Sequence, residues 1–275
     1  YPTHGAGSFC SAGTGGQLTT TLGRERRKNS LFTAASEDLF VRTFLAGLGT
    51  YPPYFLRLRT VNQRGARLYG VNPAALALLS VDEVRRHQAA GAIVIDVRPF
   101  VDFASGHIPA ALSIALRPAF ASWLGWIIQA DRPLVFVRAP DQDGHDLVQQ
   151  CLKIGYENLV GELAGGMSAW KEAGLPVTTI AIRQVNEEPQ GTPLDVRQAS
   201  EWAGGHIPGA QHMELGSVMA AAGAIPAGPL TIYCGHGERA MTAASLLEGQ
   251  GRQSLAVLDG GFDAWRRAKR PIAAG

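Results

Sequence analysis

A series of short segments occurs twice along the 275-residue chain, in the same order. Five pairs recur at spacings of 95 to 99 residues: IDVR at 95–98 with LDVR at 194–197, GHIPAA at 106–111 with GHIPGA at 205–210, LVFV at 134–137 with LTIY at 230–233, the Gly-Gly and Trp of 165–170 with those of 260–265, and Pro176 with Pro271. One match could arise by chance, but five collinear matches indicate a tandem duplication.

Each repeated unit alternates short apolar runs with helical patterns. Branched apolar runs predict buried strands, and cap-like starts with helical spacing predict helices. In the first unit, strands are predicted at 92–97, 134–137 and 158–160, and helices at 80–84, 146–152 and 167–172. The alternation predicts an α/β fold in which each unit is a parallel sheet flanked by helices. The polar segment 183–193 is predicted to join the two units.

Residues 1–72 differ from the repeats. They contain a Gly-rich start, a basic run at 24–28 and a helical pattern from about Ser36 to Leu48, and none of these recurs. The basic run is predicted to be a solvated helix face rather than an anion site. These observations divide the chain into domains at 1–72, 73–178 and 179–275.

Composition limits the partners and the compartment. The formal net charge of +2 is too small to indicate a nucleic-acid or membrane partner, and no run of 18 uncharged apolar residues predicts a membrane span. No signal peptide is evident, and three widely spaced cysteines do not form a disulfide framework, so we expect a cytoplasmic protein. Because the chain does not begin with Met, we expect a fragment or a processed product.

The second unit contains a loop with the features of a nucleophile site. An apolar strand at 230–233 delivers Cys234 to its carboxyl end, the edge of a parallel sheet where ligands bind. Gly235 and Gly237 allow successive backbone N–H groups to point at one spot, and a helix begins near Arg239. Convergent N–H groups, the helix N-terminus and the arginine all favour a thiolate, so we predict that Cys234 is a nucleophile.

Other residues of this unit have weaker signals. Glu238 is expected to point away from Cys234; if it faced the site, its carboxylate would oppose the ionisation of the thiol and repel a doubly charged ligand. His236 is open between a substrate contact and an exposed loop residue. Asp195 and Arg197 are predicted to form a structural ion pair that ties down loops. His206 is predicted to be a turn residue that hydrogen-bonds the backbone.

The first unit lacks a nucleophile at the corresponding place. Arg138 stands where Cys234 stands in the second unit, and Pro140 and two aspartates replace the glycine-rich loop. Cys151 lies 13 residues beyond Arg138 inside a predicted helix, and it is expected to be a core residue. This unit is therefore predicted to be catalytically silent.

The second unit resembles the rhodanese, or sulfurtransferase, family. The motifs that carry the resemblance are DVR at 195–197, GHIPGA at 205–210, the loop at 234–239 and GGFDAW at 260–265. The resemblance implies that Cys234 takes a sulfane sulfur from a small donor such as thiosulfate or a persulfide and passes it to a thiol or cyanide, without a cofactor. The substrate-binding residues that it implies are Gly235, His236, Gly237, Glu238 and Arg239. The related phosphatases use Cys-x5-Arg rather than the Cys-x4-Arg found here.

The start of the chain resembles the last histidine motif of metallo-β-lactamase-fold proteins. The segment YPTHGAGSFC at 1–10 carries this resemblance, and the order of domains is similar to that of persulfide dioxygenase–rhodanese fusions. This resemblance implies that residues 1–72 are a C-terminal remnant of such a domain and that His4 is a candidate metal residue. Since one histidine cannot hold a metal alone, no intact centre is expected, and iron or zinc would require an upstream part.

Two functions therefore remain open. The first is a sulfurtransferase with a Cys234 persulfide, and the alternative is a non-catalytic sulfur carrier or regulatory module attached to a persulfide-oxidising metalloenzyme. The expected partners are small sulfur donors and acceptors, with no nucleic acid and no membrane, and a homo-oligomer is left open.

Overall fold

The computed structural model describes residues 19–65, 67–70 and 74–274, in two compact units with a boundary at Tyr51 and Pro52. The first unit contains helices α1 (Leu22–Lys28) and α2 (Glu37–Ala46), capped by the hydroxyls of Thr21 and Ser36. No residue of α1 is buried, which confirms that the basic run is a solvated helix face. His4 and Cys10 lie outside the described residues.

The compact unit that begins at Pro52 contains both repeats. It starts with helix α3 (Tyr54–Arg64), which the first repeat follows. Five parallel strands form its sheet in the order β1-β5-β4-β2-β3. Their bounds are β1 (Leu78–Leu79), β2 (Ile93–Asp96), β3 (Leu112–Ser113), β4 (Leu134–Val137) and β5 (Leu159–Leu163). The helices between them are α4 (Val81–Ala89), α5 (Phe100–Ser105), α6 (Phe120–Ile127), α7 (Gly144–Lys153) and α8 (Gly166–Glu172).

The second repeat builds the same sheet again. Its five parallel strands have the order β6-β10-β9-β7-β8, which is the order of the first sheet. The strands are β6 (Ala181–Arg183), β7 (Thr192–Asp195), β8 (Gln211–His212), β9 (Leu230–Tyr233) and β10 (Leu255–Leu258). The helices are α9 (Ala199–Ala203), α10 (Glu238–Gly249) and α11 (Gly261–Arg267), with 3₁₀ turns at Leu215–Ser217 and Ala222–Ala224. Two parallel sheets flanked by helices confirm the predicted α/β class.

The predicted elements are present, with shifted bounds. The helix predicted from Ser80 has a complete capping box, in which Ser80 accepts the N–H of Glu83 and the Glu83 carboxylate accepts that of Ser80. The prediction that 183–193 joins the two repeats is wrong, because this segment runs from the end of β6 to the start of β7, two strands of the second sheet. The repeats are joined instead by residues 173–180, between the end of α8 and the start of β6. The two-residue strands β1, β3 and β8 were not predicted, since so short a segment has no recognisable periodicity. No helix in the described ranges is long and apolar enough to cross a membrane.

Helix α10 lies between the two repeats. Every side chain from Ala240 to Leu247 is buried, because the helix packs on β9 and β10 of its own sheet and on β3 of the first. The Thr242 hydroxyl donates to the carbonyl oxygen of Ser113 at 2.6 Å, and the Ser113 N–H donates to the Ser245 hydroxyl at 3.1 Å. Since β3 is the edge strand of its sheet, α10 both covers that edge and satisfies its polar groups.

We predict that Thr242→Val weakens the contact between the repeats. The substitution keeps the shape of the side chain but leaves the buried Ser113 carbonyl without this donor, which costs about 1 to 2 kcal/mol. Urea unfolding measures the loss, and Thr60→Val, at an exposed position of α3, is the matched control. Equal stability of the two variants would contradict a structural role for this hydrogen bond.

Candidate active site

Cys234 lies directly after β9 and is 1% exposed. Its Sγ accepts a hydrogen bond from the backbone N–H of Gly237, with an N-to-S distance of 3.1 Å. Gly237 has a φ of 132°, and a Cβ at this position would lie 2.7 Å from Cζ of Phe100 in the first repeat. Glycine is therefore required at 237 both by the backbone conformation and by the close approach of the other repeat.

The start of α11 holds the backbone of the cysteine loop. The N–H of Phe262 donates to the carbonyl oxygen of Cys234 at 2.7 Å, and the N–H of Asp263 donates to that of Gly235 at 3.1 Å. The Asp263 carboxylate also lies 3.1 Å from Nε2 of His236, whose side chain is largely exposed. The sequence analysis used the Gly260-Gly261 motif as a repeat marker and as a family motif, and it missed this supporting role. The signal that could have found it is the glycine pair before a helix, which permits close approach of two backbones.

Arg239 fixes the far end of the loop. Its two terminal nitrogens donate to the two carboxylate oxygens of Glu201 at 2.7 and 2.8 Å, and its guanidinium lies 5.7 Å from the ring centre of Trp123 in the first repeat. Burial acts to lower the pKa of Arg239, but the hydrogen bonds to Glu201 and the nearby Cys234 sulfur outweigh it and raise that pKa. Glu201, in the first turn of α9, was not singled out from the sequence because its partner is distant along the chain.

Glu238 does not simply point to solvent. Its Oε1 lies 3.9 Å from Nε of Arg117, a residue of the first repeat, and its side chain is only 29% exposed. The sequence analysis considered only the second repeat when it expected Glu238 to point away from Cys234. It could not predict that Arg117 of the first repeat lies next to this carboxylate.

Asp195 and Arg197 form a buried bidentate pair. The arginine donates to both carboxylate oxygens of the aspartate, at 2.5 to 3.0 Å, and to the carbonyl oxygen of Gly205 at 2.8 Å. Its guanidinium also lies 4.0 Å from the ring centre of Phe262, next to the backbone that supports Cys234. The pair thus joins the end of β7 to the turn at 205 and to α11, which are structural contacts.

His206 lies in that turn. Its backbone N–H donates to the carbonyl oxygen of Ala273 at 3.0 Å, while its ring stacks on Trp202 with centroids 3.5 Å apart. The predicted backbone hydrogen bond is thus made by the main chain of His206, and the imidazole packs instead.

Comparison with known proteins identifies this arrangement. The family model described as "Rhodanese-like domain" matches residues 80–173 and 181–268, more than half of the chain. The chain belongs to the rhodanese family. Both segments correspond to the repeats that the sequence pattern and the two sheets define.

Individual relatives match parts of the chain. Thiosulfate sulfurtransferase GlpE of Pseudomonas putida strain GB-1 is 40% identical over 74 residues, which are 26% of this chain and 67% of the relative. The solved rhodanese-like domain of the Anabaena Alr3790 protein is 27% identical, with a TM-score of 0.31. The match covers 34% of this chain and 78% of the Anabaena chain. A metallo-β-lactamase structure from Staphylococcus aureus is 25% identical, with a TM-score of 0.44. The match covers 58% of this chain and 42% of the Staphylococcus chain.

The first rhodanese-like repeat has an arginine at the position of the cysteine. Nε and one terminal nitrogen of Arg138 donate to the two carboxylate oxygens of Glu162 at 2.7 and 2.8 Å, and the other terminal nitrogen donates to the carbonyl oxygen of Gln142 at 2.5 Å. The arginine thus fills and fixes this loop. Cys151 lies in the core on α7, as predicted, and burial raises the pKa of its thiol to about 12.

Metal binding has no evident location in the described part of the chain. Among residues 19–65, 67–70 and 74–274, no three His, Cys, Asp or Glu side chains are grouped so that they could hold an ion. The histidine proposed as a metal residue, His4, is outside these ranges.

We predict that the Glu201–Arg239 pair contributes a pH-dependent part of the stability. Burial raises the pKa of Glu201, but the hydrogen bonds and charge of Arg239 outweigh it, so that pKa is lowered from its ordinary value of 4.5. A carboxyl with a lowered folded-state pKa stabilises the protein above its unfolded pKa, and this stabilisation is lost as the pH falls through the folded value. Glu201→Gln should therefore lower the melting temperature near pH 7, and the difference from wild type should shrink below pH 4.5.

Thermal unfolding from about pH 7 down to about pH 3 measures this difference. Glu172→Gln removes an exposed carboxylate from α8 and serves as the control. A difference that stays constant over the whole pH range would show that the loss comes from packing rather than from the ionised pair.

Proposed function

We propose that the second repeat is a sulfurtransferase in which Cys234 carries the transferred sulfur as a persulfide. The observation that carries the proposal is the position of the Cys234 sulfur at the carboxyl end of β9, where the Gly237 N–H donates to it. A sulfur held by a backbone donor at this edge is suited to accept a second sulfur atom. The relatives named as thiosulfate sulfurtransferases support the same reaction class.

In the first half-reaction, the Cys234 thiolate attacks the outer, sulfane sulfur of the donor. A new S–S bond forms between Cys234 and that sulfur, while the bond between the sulfane sulfur and the rest of the donor breaks. The bonding electron pair leaves with the donor residue, which departs as sulfite from thiosulfate or as a thiolate from a persulfide. The enzyme then holds Cys234 as a persulfide, and the negative charge that was on the thiolate resides on the outer sulfur when that sulfur is unprotonated.

In the second half-reaction, a thiolate or cyanide attacks that outer sulfur. The S–S bond to Cys234 breaks, and its electron pair returns to the cysteine as the thiolate. The products are a new persulfide or thiocyanate, so atoms and electrons balance over the cycle. Because both steps are nucleophilic substitutions at sulfur, the proposed reaction needs no metal and no organic cofactor.

The loop residues have different tasks in this proposal. The Gly237 N–H and the N-terminus of the 12-residue helix α10 stabilise negative charge at the sulfur. Arg239 holds the loop closed through Glu201, and Gly235 offers its backbone carbonyl to α11. His236 is exposed and paired with Asp263, and in this proposal its side chain contacts the donor or the acceptor. Asp195 and Arg197 act only by supporting these elements.

We predict that incubation with thiosulfate or glutathione persulfide adds the mass of one sulfur atom to Cys234. Intact mass and peptide mapping measure the addition, which a thiol should reverse. Cys234→Ser should abolish it, whereas Cys151→Ser should retain it because Cys151 is a buried core thiol. Absence of the added mass with both donors would contradict the proposal, and a stable persulfide without turnover would instead indicate a non-catalytic sulfur carrier.

We also predict that a cysteine alone does not activate the first repeat. Arg138→Cys, combined with Cys234→Ser, removes the guanidinium that satisfies the mostly buried Glu162 carboxylate, which costs on the order of 2 kcal/mol. The same donors should leave the new thiol at position 138 unmodified, and the melting temperature should fall relative to Cys234→Ser alone. Persulfide formation at position 138 would show that the loop of the first repeat is still competent and lacks only the nucleophile.

A further inference from the structure

The cysteine loop of the second repeat is bordered by three side chains of the first. The ring of Phe100 packs on Gly237, Trp123 faces the guanidinium of Arg239, and Arg117 faces Glu238. These residues belong to a repeat that has no nucleophile of its own at the corresponding position. The silent repeat therefore supplies part of the wall around Cys234, and its side chains are available to select what approaches the sulfur.

The two arginines at this loop differ in their availability to a ligand. Arg239 is 14% exposed, and both terminal nitrogens are used by Glu201 at hydrogen-bond distance. Arg117 is 36% exposed, and its Nε lies 3.9 Å from the Glu238 carboxylate, which is too long for a hydrogen bond. In the part of the chain that the structure describes, no side-chain hydrogen bond of Arg117 is found. Arg117 is thus the cation of the pair whose N–H donors can turn to an incoming anion.

The position of Arg117 sets how far from the sulfur such an anion would bind. Glu238 directly follows Gly237, the residue whose N–H donates to Cys234 Sγ. Arg117 therefore faces the residue next to the one that contacts the sulfur. An anion on Arg117 would therefore belong to the body of the donor rather than to its reactive sulfur. A planar guanidinium matches the two oxygens of a carboxylate, and such pairs are strong and directional.

We propose that Arg117 is a specificity-determining residue, which binds the carboxylate of an organic persulfide donor while Cys234 attacks its sulfane sulfur. This inference rests on the proposed sulfurtransferase function. Glu238 holds Arg117 beside the cysteine loop in the absence of a donor, and the carboxylate of the donor takes the place of Glu238 next to Arg117. The rings of Phe100 and Trp123 give the organic part of the donor an apolar surface.

Thiosulfate matches the residues around Cys234 less well than an organic persulfide does. Its anionic oxygens are directly attached to the reacting sulfur group and cannot reach a cation beyond the loop while the sulfane sulfur is at Cys234. With thiosulfate, Arg117 would therefore stay paired with Glu238 and would not contact the donor. The selectivity therefore favours one charged group at a distance from the sulfur over charge concentrated next to it.

The test uses Arg117→Gln in the full chain with three donors: glutathione persulfide, the persulfide of 2-mercaptoethanol, which has no carboxylate, and thiosulfate. The formation of the Cys234 persulfide is followed by intact mass in single turnovers over a range of donor concentrations. We expect the half-saturating concentration of glutathione persulfide to rise about three- to ten-fold, with an unchanged maximal rate, since the lost contact is a partly exposed ion pair. The value for the uncharged persulfide should not change.

The matched control is Arg85→Gln, which removes the same charge from an exposed helix face of the first repeat, where Arg85 pairs with Asp82. It should leave all three donors unaffected. Raising the salt concentration should reduce the effect of Arg117→Gln on glutathione persulfide, because screening weakens a partly exposed ion pair.

Three outcomes would overturn the inference. Equal effects of Arg117→Gln on the charged and the uncharged persulfide would show that Arg117 only positions the loop. A loss with thiosulfate as large as that with glutathione persulfide would show a general charge effect. If no donor modifies Cys234 in the wild-type protein, the proposed function itself fails and this inference fails with it, whereas modification in wild type without donor selectivity at 117 overturns the inference alone.

Discussion

The burial of α10 between the two sheets is the constraint on which the rest of the structure depends. Its side chains from Ala240 to Leu247 are inaccessible on every face, so the helix cannot be solvated on one side like an ordinary surface helix. Four small residues, Ala240, Ala243, Ala244 and Ser245, let it approach both sheets closely. Because its first residue directly follows Gly237, the packing that joins the repeats also fixes the N–H that donates to Cys234.

Contacts along α10 link its two ends to the first repeat. Near its start, Glu238 faces Arg117; in the middle, Thr242 and Ser245 bond the edge strand β3; at its end, Glu248 lies 2.7 Å from Nε2 of the buried His107. The first repeat is therefore part of the scaffold around the cysteine loop. Without the first repeat, the buried face of α10 would be exposed, and its Thr242 and Ser245 hydroxyls would lose their partners on β3. The first repeat therefore has a structural role that does not depend on a nucleophile of its own.

The charges of the site are largely paired. Glu201 pairs with Arg239, which also lies near the Cys234 sulfur, and Glu238 faces Arg117, so each of these two cations has a carboxylate partner. The equivalent loop in the first repeat shows the opposite solution. There, Arg138 occupies the position of the nucleophile and is neutralised by Glu162, which turns the same strand end into a closed structural element. The same strand end thus carries either a cysteine or an ion pair, depending on the residue that follows the strand.

The sequence by itself determined the duplication, the α/β class and the place of Cys234, because these follow from local signals. Repeated motifs such as DVR at 195–197 mark each unit, branched runs such as 230–233 mark strands, and the glycines after Cys234 mark a tight loop. Only the tertiary structure decided which side chains surround that loop. Arg117, Phe100 and Glu201 are far from Cys234 along the chain, and no periodicity or spacing connects them to it. Local patterns record how the backbone must fold, whereas the neighbours of a site are set by how separately folded sheets pack against one shared helix.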